Sequence, residues 1–343
     1  MLSKKEKVYI VLVNHNGYLD TIECLESIMK QRYSTFQAIV VDNSKTDSSL
    51  KQISKWSTGQ YNEKVTTQFP EIIYPPSTKP ISSVIVYEKD FFDKEFTERL
   101  ILVKALQNNG FAAANNIALR YIQKFGSMED LIWLLNNDTM ISKGTMQDII
   151  NKVNTYNEDK HRTLFGTPLL EYYEPKKIQA VGGKYNIFFG LTSHIGEGLD
   201  YNNMINVNQF KVDYPMGASM LITKFFLKKV GLLNEEYFLF FEEIDWALRA
   251  EKQGYEVKIL DIYSVYHKQG ESTKNKYKNK GLKNEFIDLT YTRSRIAFAK
   301  NFYKKYTYLV AFSILTLTVV NRIRKGGLKR ATKIFKMTIK EMF

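Results

Sequence analysis

The sequence predicts an α/β protein built on a central sheet, followed by a helical and strongly basic C-terminal segment. Three observations predict it. Apolar runs such as Val8–Val13 (VYIVLV) and Leu131–Leu135 (LIWLL) have the length and branching of strands buried on both faces. Between such runs, Asp20–Gln31 repeats Ile22, Leu25, Ile28 and Met29 at helical spacing. Charge, finally, is unevenly placed. The 343 residues carry 49 Lys+Arg and 36 Asp+Glu, a net +13, yet Lys268–Phe343 alone holds 19 basic and 4 acidic groups, or +15. The rest of the chain is therefore at −2. A nearly neutral body with a basic end meets an anionic surface through that end, either membrane lipid or nucleic acid.

Composition excludes other classes. A hydrophobic fraction of 44% rules out a disordered chain. The single cysteine, Cys24, cannot form an intramolecular disulfide, and no Cys/His cluster suggests a zinc site. Met1–Lys7 is polar and Val8–Val13 is too short for a signal h-region, so no secretory leader is read here.

The first strand ends in the turn residues Asn14-His15-Asn16-Gly17 and feeds the helix at 20–31. A second strand, Phe36–Val41, ends in Asp42-Asn43-Ser44, and Asp47-Ser48-Ser49 reads as a helix N-cap. Polar residues at two successive strand ends mark a carboxyl edge of the kind that binds nucleotides. Neither a Walker A sequence nor GxGxxG follows the first strand, so phosphate is not gripped in those ways. Four prolines between Pro70 and Pro80 make residues 56–99 look like an insertion that breaks regular structure. A further strand is expected at Leu100–Leu106. The segment after it, including Asn108, Gly110 and Asn115, would let backbone N–H groups approach a phosphate or ribose.

The strand Leu131–Leu135 runs straight into Asn136-Asn137-Asp138-Thr139. A carboxylate flanked by amides at a central strand end suits a hard divalent cation that also takes diphosphate oxygens. Phe240-Phe241-Glu242-Glu243-Ile244-Asp245-Trp246 sets three acids among aromatic rings at a helix entrance, where a carboxyl pKa rises toward that of a general base. Between the two lies Tyr214-Pro215-Met216-Gly217-Ala218-Ser219, whose small Gly217 and Ala218 would admit a sugar or phosphate. A strand at Val257–Val265 would deliver His267 toward a metal. Trp133, Trp246, Phe240 and Phe241 are candidates for stacking on a sugar ring.

The ordered set VYIVLVNHNG, IVVDNS, NNGFAAANN, LLNNDT, PMGASMLI, FFEEIDWALRAEKQGY and YHKQGEST resembles the family 2 inverting glycosyltransferases of GT-A fold. The likeness is strongest to the bacterial rhamnosyl- and galactofuranosyl-transferase-like branch that acts on cell-surface polysaccharide. It runs from Val8 to about Ala299. It implies a Rossmann-like nucleotide-binding core with a mixed central sheet, and a UDP- or dTDP-linked donor of rhamnose, galactofuranose or galactose. Asn14 and Asp42 would hold the nucleoside, with Asn16 and the 108–115 turn beside them. The metal motif falls on Asn136, Asn137 and Asp138, with His267 joining the shell around Mg²⁺ or Mn²⁺. The catalytic base falls on Glu243, preceded by Glu242, with Asp245 as a rival position. Two departures stand out: Asn136 replaces the first acid of the metal motif, and the acid pair reads Glu-Glu where the family has Glu-Asp.

The implied organisation is a transferase domain over 1–270, with the insertion at about 56–99, and a C-terminal membrane-associating region over 271–343. Tyr306–Val320 is a 15-residue apolar run, short for a bilayer span, bracketed by Lys304, Lys305, Arg322, Arg324 and Lys325. Tyr291-Thr292-Arg293-Ser294-Arg295 is expected to begin the C-terminal helical stretch, with either arginine able to reach a lipid diphosphate. The expected partners are a nucleotide sugar, a lipid-linked glycan acceptor and the cytoplasmic surface of the cell membrane. A nucleic-acid binder would explain the basic tail, but no RNP, KH, zinc-finger or helix-turn-helix signal accompanies it, and no nucleic-acid partner is expected. A nucleotidyltransferase shares a metal and acids, but begins with a Gly-rich basic phosphate loop that NHNG is not.

Overall fold

The computed structural model describes residues 6–201, 206–269, 280–325 and 327–342. The chain opens with β1 (Val8–Asn14), α1 (Tyr18–Met29), β2 (Phe36–Asp42), α2 (Ser48–Thr58), α3 (Pro70–Ile73), β3 (Ser83–Tyr87) and β4 (Leu100–Lys104). It continues through α4 (Phe111–Phe125), β5 (Leu131–Leu135), β6 (Thr139–Ile141), α5 (Thr145–Asn154), β7 (Thr163–Gly166), β8 (Leu169–Glu171) and β9 (Ile178–Ala180). A hairpin of β10 (Gly182–Asn186) and β11 (Leu191–Ile195) precedes β12 (Ser219–Thr223), α6 (Lys224–Val230) and α7 (Glu242–Glu251). After β13 (Glu256–Ile259) and β14 (Val265–His267) come α8 (Lys280–Phe302), α9 (Thr307–Ser313), a π-helical segment (Ile314–Val319), α10 (Val320–Arg324) and α11 (Leu328–Met342).

Eight strands form one mixed sheet in the order β13-β7-β12-β5-β1-β2-β4-β3. β1, β2, β3, β4 and β5 run parallel, whereas β12 is antiparallel to both its neighbours. The apolar strands are continuous because both faces are covered. Tyr9 and Val11 of β1 enter one core with α4, α6 and α7, and Val8, Ile10 and Leu12 enter the other with α1, α2 and α5. A second sheet, β6-β14-β8-β9, starts where the chain leaves β5, and so brings β14 back beside residues 136–139.

Several expectations are corrected by the pairing. The segment 56–99 is not an interruption throughout. Trp56 lies within α2, and Ser83–Tyr87 pairs in parallel with β4 as the edge strand of the main sheet. The strand expected at Val257–Val265 is two short strands in different sheets, since β13 pairs with β7 while β14 pairs with β6 and β8. Tyr291–Arg295 lies in the middle of α8 and does not begin it. The boundary at 270/271 and the last residues of YHKQGEST fall outside the described residues.

α8 joins the C-terminal helices to the core. Phe298 packs among the core aromatics, while Ile296 and Ala299 face Val310, Ile314, Ala331 and Ile334 of the following helices. The apolar run is longer as a helix than as a composition. Lys304–Arg324 forms 21 residues long and apolar enough to cross a membrane, with a third of that stretch buried inside the protein. Polar flanks extend the helix without lengthening the apolar core of the run.

Candidate functional site

The carboxyl ends of β1, β2, β4 and β5 converge on a buried polar network. Asp42 is fully buried: its Oδ1 accepts from Asn14 Nδ2 at 2.7 Å and Ser44 Oγ at 2.6 Å, and its Oδ2 from Lys104 Nζ at 3.1 Å. Asn14 Oδ1 in turn accepts from Gly17 N at 3.0 Å and Thr21 Oγ1 at 3.1 Å, and Thr21 Oγ1 accepts from Asn137 Nδ2 at 2.9 Å. The chain of bonds thus fastens four strand ends together. Asn14, Asp42 and Asn137 are its buried interior members, with both side-chain polar atoms of Asn14 and both carboxylate oxygens of Asp42 met by protein groups. Lys104 was missed in the sequence. A lysine ending the apolar LILVK strand is the signal that could have found it, because a buried ammonium there needs a carboxylate.

What lies above the network is accessible. Asn16 is exposed with φ 57°, its backbone N–H held by Ser44 Oγ at 2.8 Å. Asn108 is exposed, accepts from Asn43 Nδ2 at 2.8 Å and lies 3.3 Å from His15 Nε2. Asn43 was also missed. Asn115 is buried in α4 and donates to the Phe111 carbonyl at 3.0 Å, so it serves its own helix and not the strand edge. Gly110 is a packing residue. With φ +97°, it leaves space where a Cβ would meet the Phe238 carbonyl oxygen at 2.1 Å, and the next N–H, of Phe111, donates to that oxygen at 2.8 Å. Through this contact the 107–111 turn touches the loop that carries the acids.

Asp138 and His267 are brought together by the β6–β14 pairing. Asp138 Oδ1 lies 3.2 Å from His267 Nε2, and Asn136 Nδ2 lies 3.4 Å from the same nitrogen. Gln179 Oε1 accepts from His267 Nδ1 at 2.7 Å, which orients the ring so that Nε2 faces the carboxylate. Burial works to raise the Asp138 pKa, but the His267 ring and Lys268 outweigh it and hold the carboxyl below its usual range. Asn136 Oδ1 is buried and lacks a hydrogen-bond partner. Two inward-facing donors with an orphaned amide oxygen beside them fit a divalent cation that completes its shell with phosphate oxygens and water. Among the described residues no group of three or more His, Cys, Asp or Glu could hold a metal by itself. Lys268 next door bridges Asp20 at 2.7 Å and Glu23 at 2.6 Å, tying the end of β14 to α1.

The acids stand across one turn from this pair. Asn136 N donates to Ala218 O at 3.0 Å, and a Cβ on the adjoining Gly217 would lie 3.8 Å from the Glu243 side chain. Gly217 and Ala218 are therefore the bridge between the two halves of the site. Phe240 and Phe241 both take positive φ, 70° and 74°, a conformation costly for bulky residues, and so turn the chain to present Glu242 and Glu243 at the start of α7. Tyr291 packs on both rings, at 5.7 and 5.4 Å, and Ser294 Oγ donates to Leu239 O at 2.9 Å, so α8 holds the loop from behind.

The three acids differ in surroundings. Asp245 is buried away from the turn, accepting from Arg249 Nε and, at 3.1 Å, from Asn234 Nδ2. Arg249 continues to the carbonyls of Val230 and Leu232 at 2.9 and 2.8 Å. Asp245 is thus held in an ion pair with Arg249 on its own helix. Glu242 and Glu243 each keep one buried carboxylate oxygen with no partner. Burial pushes Glu243 up to about 7, and burial together with the Glu243 charge pushes Glu242 well above its ordinary value. Trp133 and Trp246 are wholly buried, donating to Ser219 Oγ at 3.0 Å and Gly231 O at 2.9 Å. They are core residues and offer no stacking face.

Residues 9–68 match Glycosyl transferase family 2. The low-salt glycan biosynthesis hexosyltransferase Agl10 of Haloferax volcanii is 25% identical over 166 residues, 47% of this chain and 50% of that protein. The dTDP-rhamnosyl transferase RfbF of Shigella flexneri is 23% identical over 181 residues, 51% of this chain and 54% of that one. The chain spans about half the length of these curated relatives. Among solved structures, a mannosyltransferase from Pyrobaculum calidifontis in complex with GDP-Man and Mn²⁺ superposes with a TM-score of 0.52 at 12% identity, covering 99% of this chain and 82% of that one. GalNAc-T7 with UDP, GalNAc and Mn²⁺ gives a TM-score of 0.50 at 12% identity, over 76% of this chain and 44% of that one. The fold is the GT-A fold of these neighbours.

Proposed function

We propose that the chain is a glycosyltransferase that moves a hexosyl group from a UDP- or dTDP-linked donor to a lipid-linked glycan acceptor, with inversion at the anomeric carbon. The observation that carries this reading is the convergence on one turn. Gly217 and Ala218 bring a raised-pKa carboxyl, Glu243, to the same strand edge as the Asp138–His267 pair. A base poised near neutrality beside a metal-competent pair is what transfer from a diphosphate donor needs. The names of the relatives, a hexosyltransferase and a dTDP-rhamnosyl transferase, support the substrate class.

In this reading Asn16 and Asn108 line the nucleoside side of the cleft, and Asn43 with the Asn14, Asp42 and Lys104 network beneath keeps them in place. Glu243 accepts the proton of the acceptor hydroxyl as its oxygen forms a bond to the anomeric carbon. The bond from that carbon to the donor phosphate breaks on the opposite face. Glu242, whose pKa burial and the Glu243 charge also raise, keeps one unpartnered carboxylate oxygen for a sugar hydroxyl. Asp138 and His267 would hold Mg²⁺ or Mn²⁺, with Gln179 orienting the histidine ring. A cation there supplies charge neutralisation for the departing diphosphate.

The basic end belongs to the same reading. Residues 1–270 act as the transferase domain, and 271–343 hold it on the cytoplasmic face of the membrane, where a lipid-linked acceptor is presented. Lys304–Arg324 lies in the interface in preference to crossing the bilayer: Val310, Ala311 and Ile314 are already packed on the protein, and Arg295 is bonded to Thr318 at 3.3 Å and to Ser313. A span would leave that guanidinium without those partners. Turnover of dTDP-rhamnose, UDP-galactofuranose, UDP-galactose and UDP-glucose, each with and without Mn²⁺, tests the proposal. Release of nucleoside diphosphate from none of them in the presence of a lipid-diphosphate glycan would overturn it.

A further inference from the structure

The β10–β11 hairpin ends in a tight tip that carries two exposed phenylalanines. Asn186 Oδ1 accepts from the N–H groups of Phe188 and Phe189, each at 3.0 Å, and Asn186 O accepts from Gly190 N at 2.7 Å. The tip is then fastened to the C-terminal helices. Phe189 O accepts from Arg295 Nε at 3.0 Å and from Ser313 Oγ at 2.9 Å. Gly190, at φ +64°, lies so close to α9 that a Cβ would stand 2.8 Å from Val310. The Phe188 ring meets Tyr306 edge-on at 5.2 Å.

Despite this anchoring both phenyl rings remain 49% exposed, next to a helical turn on which Leu309 and Phe312 are 50% and 64% exposed. Exposed Phe and Leu side chains flanked by basic residues bury their apolar surface at the headgroup–acyl boundary of a bilayer. Because the backbone beneath them is already ordered, docking would sacrifice little conformational freedom. Lys304 and Lys305 stand exposed at one end of this ridge, and Arg324 and Lys325 at the other. Charge selects the occupant: a second copy would set one +15 segment against another, whereas an anionic bilayer complements it.

Resting on the reading that the basic end meets a membrane, we propose that the hairpin tip and the α9–α10 ridge form one lipid-docking surface. Phe188 and Phe189 insert beside Leu309 and Phe312 into the interface of an anionic bilayer. The catalytic domain thereby touches the membrane directly, and its orientation above the lipid is set at two points.

The test is co-sedimentation of the full chain with vesicles of phosphatidylcholine containing phosphatidylglycerol, against vesicles of phosphatidylcholine alone. Phe188→Ser/Phe189→Ser should bind the anionic vesicles about tenfold more weakly than the unaltered chain, through loss of inserted apolar surface. Turnover of a water-soluble acceptor should be unaffected. As a second measurement, Phe189→Trp should show fluorescence quenching by brominated lipid, since the native Trp56, Trp133 and Trp246 are all buried. Undiminished vesicle binding by the double variant, with binding lost in Lys329→Glu/Lys336→Glu, would overturn the hairpin's part and leave the basic tail as sole contact. A dimer in light scattering that the double variant dissolves would overturn it in favour of a second copy. Absence of binding to any vesicle by the unaltered chain would overturn this surface and the membrane reading together, while leaving donor turnover to be judged separately.

Discussion

Replacing Glu243 by Gln should destroy turnover and, at alkaline pH, relieve the fold. The carboxyl sits at the entrance of α7 with one oxygen sealed and unpartnered, and its pKa is pushed from 4.5 up to about 7. At about 1.36 kcal/mol per pKa unit, ionising it inside the fold costs about 3 kcal/mol more than in an unfolded chain. The sign follows from the direction. A carboxyl raised in the folded state contributes stability that is complete below about 4.5 and is lost as pH rises through about 7. The unaltered chain should therefore lose about 3 kcal/mol more than Glu243→Gln between pH 4.5 and 8, and somewhat more again because the Glu243 charge also burdens Glu242. Urea unfolding at a series of pH values measures the difference, and comparing the two chains cancels the other titrating groups. Over the same range kcat/KM should rise through pH 7 in the unaltered enzyme. In the variant kcat should fall about 10²–10⁴-fold with donor affinity nearly unchanged. Parallel stability curves for the two proteins would refute the buried-carboxyl reasoning. Near-normal turnover would refute the assignment of the base.

Asp42→Ala should unfold more easily, by about 1–3 kcal/mol, because Lys104 loses its buried carboxylate and keeps only Asp47 at 3.6 Å and the Ser44 and Thr46 carbonyls; a folded variant of unchanged stability in urea unfolding would contradict the network described above. Asp138→Ala should abolish the Mn²⁺ dependence of donor binding with secondary structure intact by circular dichroism, and unchanged metal dependence would move the cation elsewhere. Gly110→Ala should lower both stability and kcat, since its Cβ would displace the Phe238 carbonyl and with it the strained turn before Glu242. Ser294→Ala, which frees the Leu239 carbonyl, should lower kcat while leaving the donor KM nearly unchanged; a parallel loss of both would mean that α8 merely stabilises the core.

The sequence by itself determined the layered core. Strands such as VYIVLV and LIWLL are apolar on both faces, and only a covered, largely parallel sheet can bury both. It also determined where polar chemistry collects, because turn residues and acids at the strand ends are visible without coordinates. The basic, apolar-cored C-terminal segment was equally legible, being a matter of composition. Tertiary structure alone decided which polar residues are exposed at the strand edge. Asn14, Asp42 and Asn137 sit at strand ends just as Asn16 and Asn108 sit in adjoining turns, yet packing turns the first group into a closed network and leaves the second exposed. Likewise Glu242, Glu243 and Asp245 are near neighbours in the chain. Arg249, one helical turn beyond Asp245, claims that carboxylate, while two phenylalanines at positive φ turn Glu243 toward Gly217. Gln179, fixing His267, comes from a strand 88 residues away and bears no local signal. The edge strand Ser83–Tyr87 was hidden for a related reason: its partner, β4, supplies the pairing that its own proline-rich surroundings do not announce. Alternation and composition report which face of an element is buried. The direction of one side chain within a crowded turn depends on what packs against it, and that is settled by residues distant in the chain.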